Sequence, residues 1–282
     1  MPTLTVVGNC QAESLRRLLS STGEFDSQRI APVHELEKSD MAWFTDRLRH
    51  TDVLVTQPIR DRYRGLPVGT SEMIRHLPRG ARHVVVPVLR YDGLMPYQAI
   101  IRDPDDPSLN PPVVPYHDLR ILVAAARGSE TPAGGPVSAE QLRRVAAMSV
   151  EQIRSRERRH GSVEVSSYLD TSPVWHTVNH PDNETLAVLA SGVLDALGCM
   201  APVTLPGYEM LDELDAPIDA AAAAALGVAD PGRRSWTRRG TGEVDSAEIE
   251  AEQLDFYHQR PRLVAHGMVR HADRIAALGL AA

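Results

Sequence analysis

Three short runs of β-branched and aliphatic residues, at 3–8, 52–56 and 83–88, are separated by stretches of helical periodicity. That rhythm constrains the fold more than any other feature. Parallel strands cannot be joined by a tight turn and need a crossover, usually a helix. A β-α-β-α-β order therefore predicts a parallel sheet flanked by helices, the α/β class. The first helix is expected over 11–21, where Leu15, Leu18 and Leu19 recur on one face. A second helical pattern runs through 35–50 on Leu36, Met41, Phe44 and Leu48. A third lies near 70–77, with Thr70 or Ser71 as its cap. The second strand, Asp52-Val53-Leu54-Val55-Thr56, stops at Gln57-Pro58, because proline cannot donate to a ladder.

Beyond residue 90 the rhythm changes. Residues 91–115 are rich in Pro, Asp and Asn and read as a long functional or mobile loop. Residues 117–127 suit a strand or a helix, 128–136 a linker, and 138–159 an amphipathic helix whose basic tail, at 154–159, is an exposed end. A helix at 182–197 carries Leu186, Leu189, Val193, Leu194 and Leu197 on one stripe. Past Gly198 come an alanine-rich stretch at 220–226, a glycine-punctuated loop at 230–242 and helical patterns at 247–255 and 262–278. The loop is expected to be flexible or ordered by a ligand. The expected organisation is an α/β core over 1–198 and a mainly helical C-terminal extension over 199–282 packed on it.

With 282 residues, 43% of them apolar, the chain can bury a substantial core. A net charge of −7 argues against a general nucleic-acid binder. No apolar run approaches the roughly 18 residues of a membrane span. The N-terminus has no basic segment followed by an apolar core, so a cytoplasmic protein is expected. Cys10 and Cys199 form neither a disulfide framework nor a metal motif, and no metal is expected. No P-loop, dinucleotide fingerprint or zinc spacing is present.

Chemistry concentrates in four places. Gly8-Asn9-Cys10 sits where the first strand gives way to the first helix. The N–H groups and dipole at a helix start stabilise a thiolate, so the Cys10 pKa is expected to be lowered. Asn9 tolerates unusual dihedrals and offers an amide donor to an oxyanion. The plainer reading of Cys10 is a buried strand-end cysteine. In the second place, Trp175 to Glu184, capping explains Pro181, Asp182 and Asn183 but neither His176 nor His180. A histidine held before a proline is a candidate general base, although a lone histidine is more often structural. The third place is Gln57 to Gly65, after the second strand, with Arg60, Arg62, Tyr63 and Arg64. Carboxyl ends of neighbouring parallel strands share a crevice, so Gln57 is expected near Cys10. The arginines suit a phosphate or carboxylate, or belong to a solvated loop. The fourth, Arg233-Arg234-Ser235-Trp236-Thr237-Arg238-Arg239, suits a nucleotide-like group by charge and stacking, or is likewise a solvated loop.

Three segments in this order resemble the WcbI polysaccharide-biosynthesis family. They are Gly8-Asn9-Cys10-Gln11-Ala12 with Leu15 and Leu18; the run from Asp52 to Arg60 with Tyr63-Arg64; and Asn179-His180-Pro181-Asp182-Asn183. The stretch Val86-Pro87-Val88-Leu89-Arg90-Tyr91-Asp92-Gly93 is also similar, departing in detail. The resemblance covers about residues 3–198. It implies an SGNH/flavodoxin-like core, with Cys10 where SGNH-type esterases carry serine. It implies an acetyl-CoA-dependent acyltransferase that O-acetylates a sugar of a capsule or other glycan. Cys10, His180, Asn9 and Gln57 become the catalytic set; Gln11, Arg60, Tyr63, Arg64 and Arg90 become the coenzyme A set. SGNH enzymes place Asp three residues before the histidine, whereas here Thr177 precedes His180 and Pro173 precedes His176. Asp170, Asp182 or a backbone carbonyl are the alternatives for orienting His180.

The leading expectation is acyl transfer from a CoA thioester to a hydroxyl of a sugar or small molecule. Either His180 deprotonates the acceptor for direct attack, or Cys10 takes the acyl group first. Asn9, Gln57 and backbone N–H groups would hold the oxyanion, and 230–242 would close over the site. The rivals are an esterase or thioesterase with water as acceptor, a non-catalytic glycan- or nucleotide-binding protein, and transfer of a sulfate or methyl group. No nucleic-acid partner or membrane segment is expected, and a homo-oligomer is open.

Overall fold

The computed structural model describes residues 1–280. The elements run β1 (Thr3–Val7), α1 (Cys10–Ser20), β2 (Asp26–Ser27), α2 (Met41–Arg49), β3 (Val53–Thr56), α3 (Thr70–Ile74) and β4 (Arg82–Val85). There follow β5 (Gln98–Ala99), β6 (His117–Asp118), α4 (Leu119–Arg127), α5 (Ala139–His160), α6 (Ser166–Leu169) and α7 (Asn183–Ala196). The last third holds β7 (Leu214–Asp215), α8 (Ala220–Leu226), β8 (Trp236–Arg238), β9 (Gly242–Val244), α9 (Ser246–His258), α10 (Pro261–Arg270) and α11 (Ala272–Ala277). The chain forms two units: Met1–Arg90, Val150–Pro173 and His180–Leu211 make the first; Tyr91–Ser149, Val174–Asn179 and the residues from Asp212 onward make the second. The division is therefore not a single cut at 198. Residues 91–149 and 174–179, expected in the α/β core, group with the C-terminal third.

The first unit holds a parallel sheet of order β2-β1-β3-β4. Val7 pairs with Thr56 and Thr56 with Val85, so the three strands end level with one another. From β1 the chain goes one way to β2 and then back past β1 to β3. Right-handed crossovers put the helices of those two connections on opposite faces. β1 and β3 are accordingly buried along almost their whole length, with no alternation between faces. Val7 and Leu54 pack with Phe44 and Leu48 of α2, Val68 and Met73. α1 packs on α7, their buried faces carrying Leu15, Leu18 and Leu19 and Leu186, Leu189 and Val193. The direction of winding reverses between β1 and β3. In open α/β sheets the crevice at the carboxyl ends of such strands is where ligands bind.

The second unit is mainly helical. α4 packs against α9 and α10 through Leu119, Leu122, Val123, Leu254, Tyr257, Leu263 and Val264. Residues 117–127, open between strand and helix, are two residues of strand followed by α4, capped by Asp118. Two expectations are corrected here. The loop at 230–242 is largely an antiparallel hairpin, β8 pairing with both β7 and β9, turned by Gly240 at φ +84° and Gly242 at φ +88°. The helical pattern at 262–278 is two helices, because His271 takes φ −110°, ψ 16° and ends α10. No helix among the described residues is long and apolar enough to cross a membrane.

Candidate active site

Asn9 begins the site. It is the N-cap of α1, with extended backbone, and its Oδ1 accepts the N–H of Gln11 at 3.0 Å. Gln57, arriving from the end of β3, reaches across the strand ends. Its Oε1 accepts the Asn9 N–H at 2.9 Å, and its Nε2 donates to Asn9 Oδ1 at 3.1 Å and to Gln11 Oε1 at 3.0 Å. Gly8 leaves room for this, since a Cβ there would lie 2.6 Å from Gln57 Oε1. Gln11 in turn brackets the backbone of Leu89, donating to its carbonyl at 2.8 Å and accepting its N–H at 3.1 Å. Gln57, expected to donate to an oxyanion, thus has both amide hydrogens committed to Asn9 and Gln11. Gln11, expected to contact a cofactor, is buried and braces the turn. With Oδ1 held by two donors, the Asn9 amide is fixed in orientation. Its Nδ2 has no acceptor among the described residues and is an amide donor open to a ligand.

Cys10 is the first residue of α1, and its Sγ lies 3.5 Å from His180 Nε2. His180 is brought there by α7, which packs on α1 and starts three residues later behind Pro181 and the cap Asp182. The sequence placed neither partner beside the other; 170 residues separate them. Of the carboxylates expected to orient His180, Asp182 accepts the Thr185 N–H at 2.9 Å and Asp170 pairs with Arg154 at 3.1 Å.

The expected lowering of the Cys10 pKa is overturned. Burial pushes the thiol up; the N–H groups of Gln11 and Cys10 pull the other way and lose, and the Glu35 carboxylate adds to the rise. The resting sulfur is therefore a thiol.

Residues 33–35, absent from the expected site, border it. The Val33 N–H donates to the Gly8 carbonyl at 2.8 Å, and Glu35 acts on the thiol by charge. The arginine loop fastens here, Arg64 donating to the His34 carbonyl. Arg62 and Arg64 both adopt left-handed backbone, φ +51° and +53°, a conformation that is strained outside glycine. Glu72 holds it, accepting the N–H groups of Arg62 at 3.0 Å and Gly69 at 2.9 Å. Tyr63 packs against the α2-side core. Arg60 and Arg62 are exposed, and their guanidinium groups have no partner among the described residues. Arg90 is half-buried.

The second unit holds His176, whose Nδ1 lies 2.7 Å from Asp215 Oδ1, with Arg233 on the same oxygen at 2.9 Å. Burial works against the Asp215 carboxylate, but the His176 hydrogen bond and the Arg233 charge outweigh it and lower its pKa. The arginine run, read either as a nucleotide grip or as a solvated loop, is committed within the unit. Arg234 pairs with Asp230, Arg239 with Asp212, and Arg238 donates to the Val113 carbonyl at 2.8 Å. Trp236 is buried and stacked on Tyr116, ring centroids 5.3 Å apart. Among the described residues, no group of three or more His, Cys, Asp or Glu side chains is placed to hold a metal.

Fold and site together define an α/β protein with a thiol–imidazole pair at the carboxyl edge of its parallel sheet. The family model described as "Polysaccharide biosynthesis enzyme WcbI" matches residues 3–202. The chain belongs to the WcbI family of polysaccharide-biosynthesis enzymes. A solved structure of WcbI is similar, with a TM-score of 0.80 at 16% identity over 99% of both chains. It is described as native protein without a disulfide bond between coenzyme A and one of its cysteines. No protein with a curated description matches the chain.

Proposed function

We propose that this enzyme transfers an acyl group, acetyl in the simplest case, from coenzyme A to a hydroxyl of a sugar or related small molecule. The observation that carries the reading is Cys10 Sγ held 3.5 Å from His180 Nε2 at the start of α1. His180 takes the thiol proton while sulfur attacks the thioester carbonyl carbon, forming a tetrahedral oxyanion. Asn9 Nδ2 and the Cys10 N–H are the donors for that oxygen. The C–S bond to coenzyme A then breaks, and the departing thiolate takes the proton from His180. In the second half the acceptor hydroxyl gives its proton to His180 and its oxygen attacks the Cys10 thioester. Cys10 leaves and recovers the proton. The WcbI comparison, in which coenzyme A and a cysteine are named together, supports the donor. Arg60 and Arg62, exposed and without partners among the described residues, supply charge for its phosphates, with Arg64, Tyr63 and Arg90 in supporting positions.

Calorimetry with coenzyme A and acetyl-CoA tests the donor, and release of free thiol with and without sugars tests the reaction. Micromolar binding, weakened about tenfold or more in Arg60→Ala/Arg62→Ala, and acceptor-dependent thiol release abolished in Cys10→Ala and His180→Ala are expected. No binding of either ligand overturns the donor. Thiol release at one rate with and without acceptor makes the enzyme a thioesterase.

A further inference from the structure

The second unit contains a cavity of about 390 Å³, walled in part by Tyr97, Gln98, Asp118, Arg120, Trp236 and Glu250. That volume lies within the roughly 300–1,000 Å³ of small-molecule sites. Its lining is mixed. Tyr97 carries Arg120 4.4 Å above its ring, and Trp236 is backed by Tyr116, so both aromatics are held rigidly in the wall. Between them lie polar groups that the protein leaves unanswered. Gln98 is 7% exposed, and its Oε1 is buried with no hydrogen-bond partner. Such an orphan acceptor is costly and rare in a folded protein. The Glu250 carboxylate has no hydrogen bond or ion pair among the described residues. Asp219, also in the wall, uses Oδ1 to cap α8 at 2.8 Å and leaves its second oxygen open. The Tyr97 hydroxyl likewise has no partner.

The charge balance decides the ligand class. Asp118, Asp219 and Glu250 face Arg120 and Arg234, and both arginines are already paired, Arg120 with Asp118 and Arg234 with Asp230. His117, also in the wall, is pushed down to about 4 by burial and carries no charge at neutral pH. Among the described residues of the wall no uncommitted cation remains for a phosphate or carboxylate, and the open groups are mostly acceptors. A ligand must therefore bring many donors, carry no negative charge, and offer apolar C–H faces to the rings.

We infer that this cavity is a binding site for a neutral sugar residue. Its hydroxyls donate to Gln98 Oε1, Glu250 and Asp219, and its ring packs against Tyr97 and Trp236. The inference goes beyond the proposed reaction, whose Cys10 and His180 belong to the first unit. It stands on the cavity alone and does not require coenzyme A.

Saturation-transfer NMR on the full chain, without coenzyme A, tests it with glucose, galactose, mannose, N-acetylglucosamine and glucose 6-phosphate as probes. At least one neutral sugar is expected to receive saturation, and glucose 6-phosphate much less. Glu250→Ala and Gln98→Met should each weaken binding about tenfold or more. Absence of signal from every neutral sugar, signals unchanged in both variants, or preference for glucose 6-phosphate each overturn the inference. Because coenzyme A is absent, failure of the donor assignment leaves this result standing, and failure here leaves the calorimetry untouched.

Discussion

Gln57→Leu removes the amide that joins β3 to the turn carrying Cys10, and the structure fixes what is lost. The Asn9 N–H loses its acceptor at 2.9 Å, and two donations, at 3.1 Å to Asn9 and 3.0 Å to Gln11, disappear. Asn9 Oδ1 and Gln11 Oε1 keep other donors, so one group is orphaned, the Asn9 N–H. An unsatisfied buried donor costs about 1–3 kcal/mol, and each lost pair about 0.5–1.5 kcal/mol net. The buried leucine returns roughly 1–2 kcal/mol of apolar transfer. A net loss of about 2.5 kcal/mol follows at the middle of these ranges, a large share of the roughly 5–15 kcal/mol of a typical domain. Cys10 and Cys199 both belong to the first unit. Pulse alkylation of the two thiols along a urea series therefore reads the unfolding of that unit. Arg60→Ala, at an exposed side chain without partners, is the control, expected within about 0.5 kcal/mol of the parent. A Gln57→Leu protein as stable as the Arg60→Ala control would refute the bracing role of the glutamine pair.

Two further predictions concern protons. The pH at which Cys10 alkylation by iodoacetamide reaches half its maximal rate should lie above that of an ordinary cysteine, about 8.5, and Glu35→Gln should lower it; a midpoint below the ordinary one contradicts the desolvation argument. Burial pushes His117 down to about 4 and His271 to about 3. Their stabilisation is complete above pH 6.5, where both folded and unfolded imidazoles are neutral, and is lost as pH falls, because the unfolded state binds the protons first. For His117 alone the loss is about 3 kcal/mol by pH 4. Urea unfolding followed by fluorescence of Trp175 and Trp236, which lie in the same unit, should show that decline between pH 7 and pH 4. A flat profile would mean that the histidines gain their protons without opening the core.

The parts of this molecule legible in its sequence are those written locally. β1, α1, β3 and β4 follow from β-branched runs and helical spacing. The placing of Asn9, Cys10 and Gln57 at one edge follows from the rule that parallel strands end together. Leu15, Leu18 and Leu19 face inward as their spacing requires. The loop at 230–242 was misread because glycines at 232, 240 and 242 look alike whether they loosen a chain or turn a hairpin. Pairing of Trp236 with Val244 is what tells the two apart. The run from Arg233 to Arg239 suggested an anion site only while its partners were unseen; Asp215, Asp212 and the Val113 carbonyl lie too far along the chain for a motif to show them.

The Cys10 pKa shows most sharply where sequence reasoning stops. A cysteine opening a helix is a local fact, and the stabilising effect of the first N–H groups is real; both the Gln11 and Cys10 amides act on the sulfur in that direction. Desolvation is the sum over everything packed around the thiol, drawn from segments as distant as 33–35 and 180, and it reverses the sign. The reversal suits the proposed acyl transfer better than a permanent thiolate would. A neutral thiol resists oxidation and stray alkylation. In the proposed reaction the thiolate forms only while its proton sits on His180, 3.5 Å from the sulfur. Asn9, its amide pinned by Gln57, is in the proposed reaction the donor to the oxygen on which charge develops. Sequence alone can name these residues; the division of labour among them, with Gln11 and Gln57 bracing and Asn9 donating, depends on which ends of three amides meet, and that is a property of the folded edge.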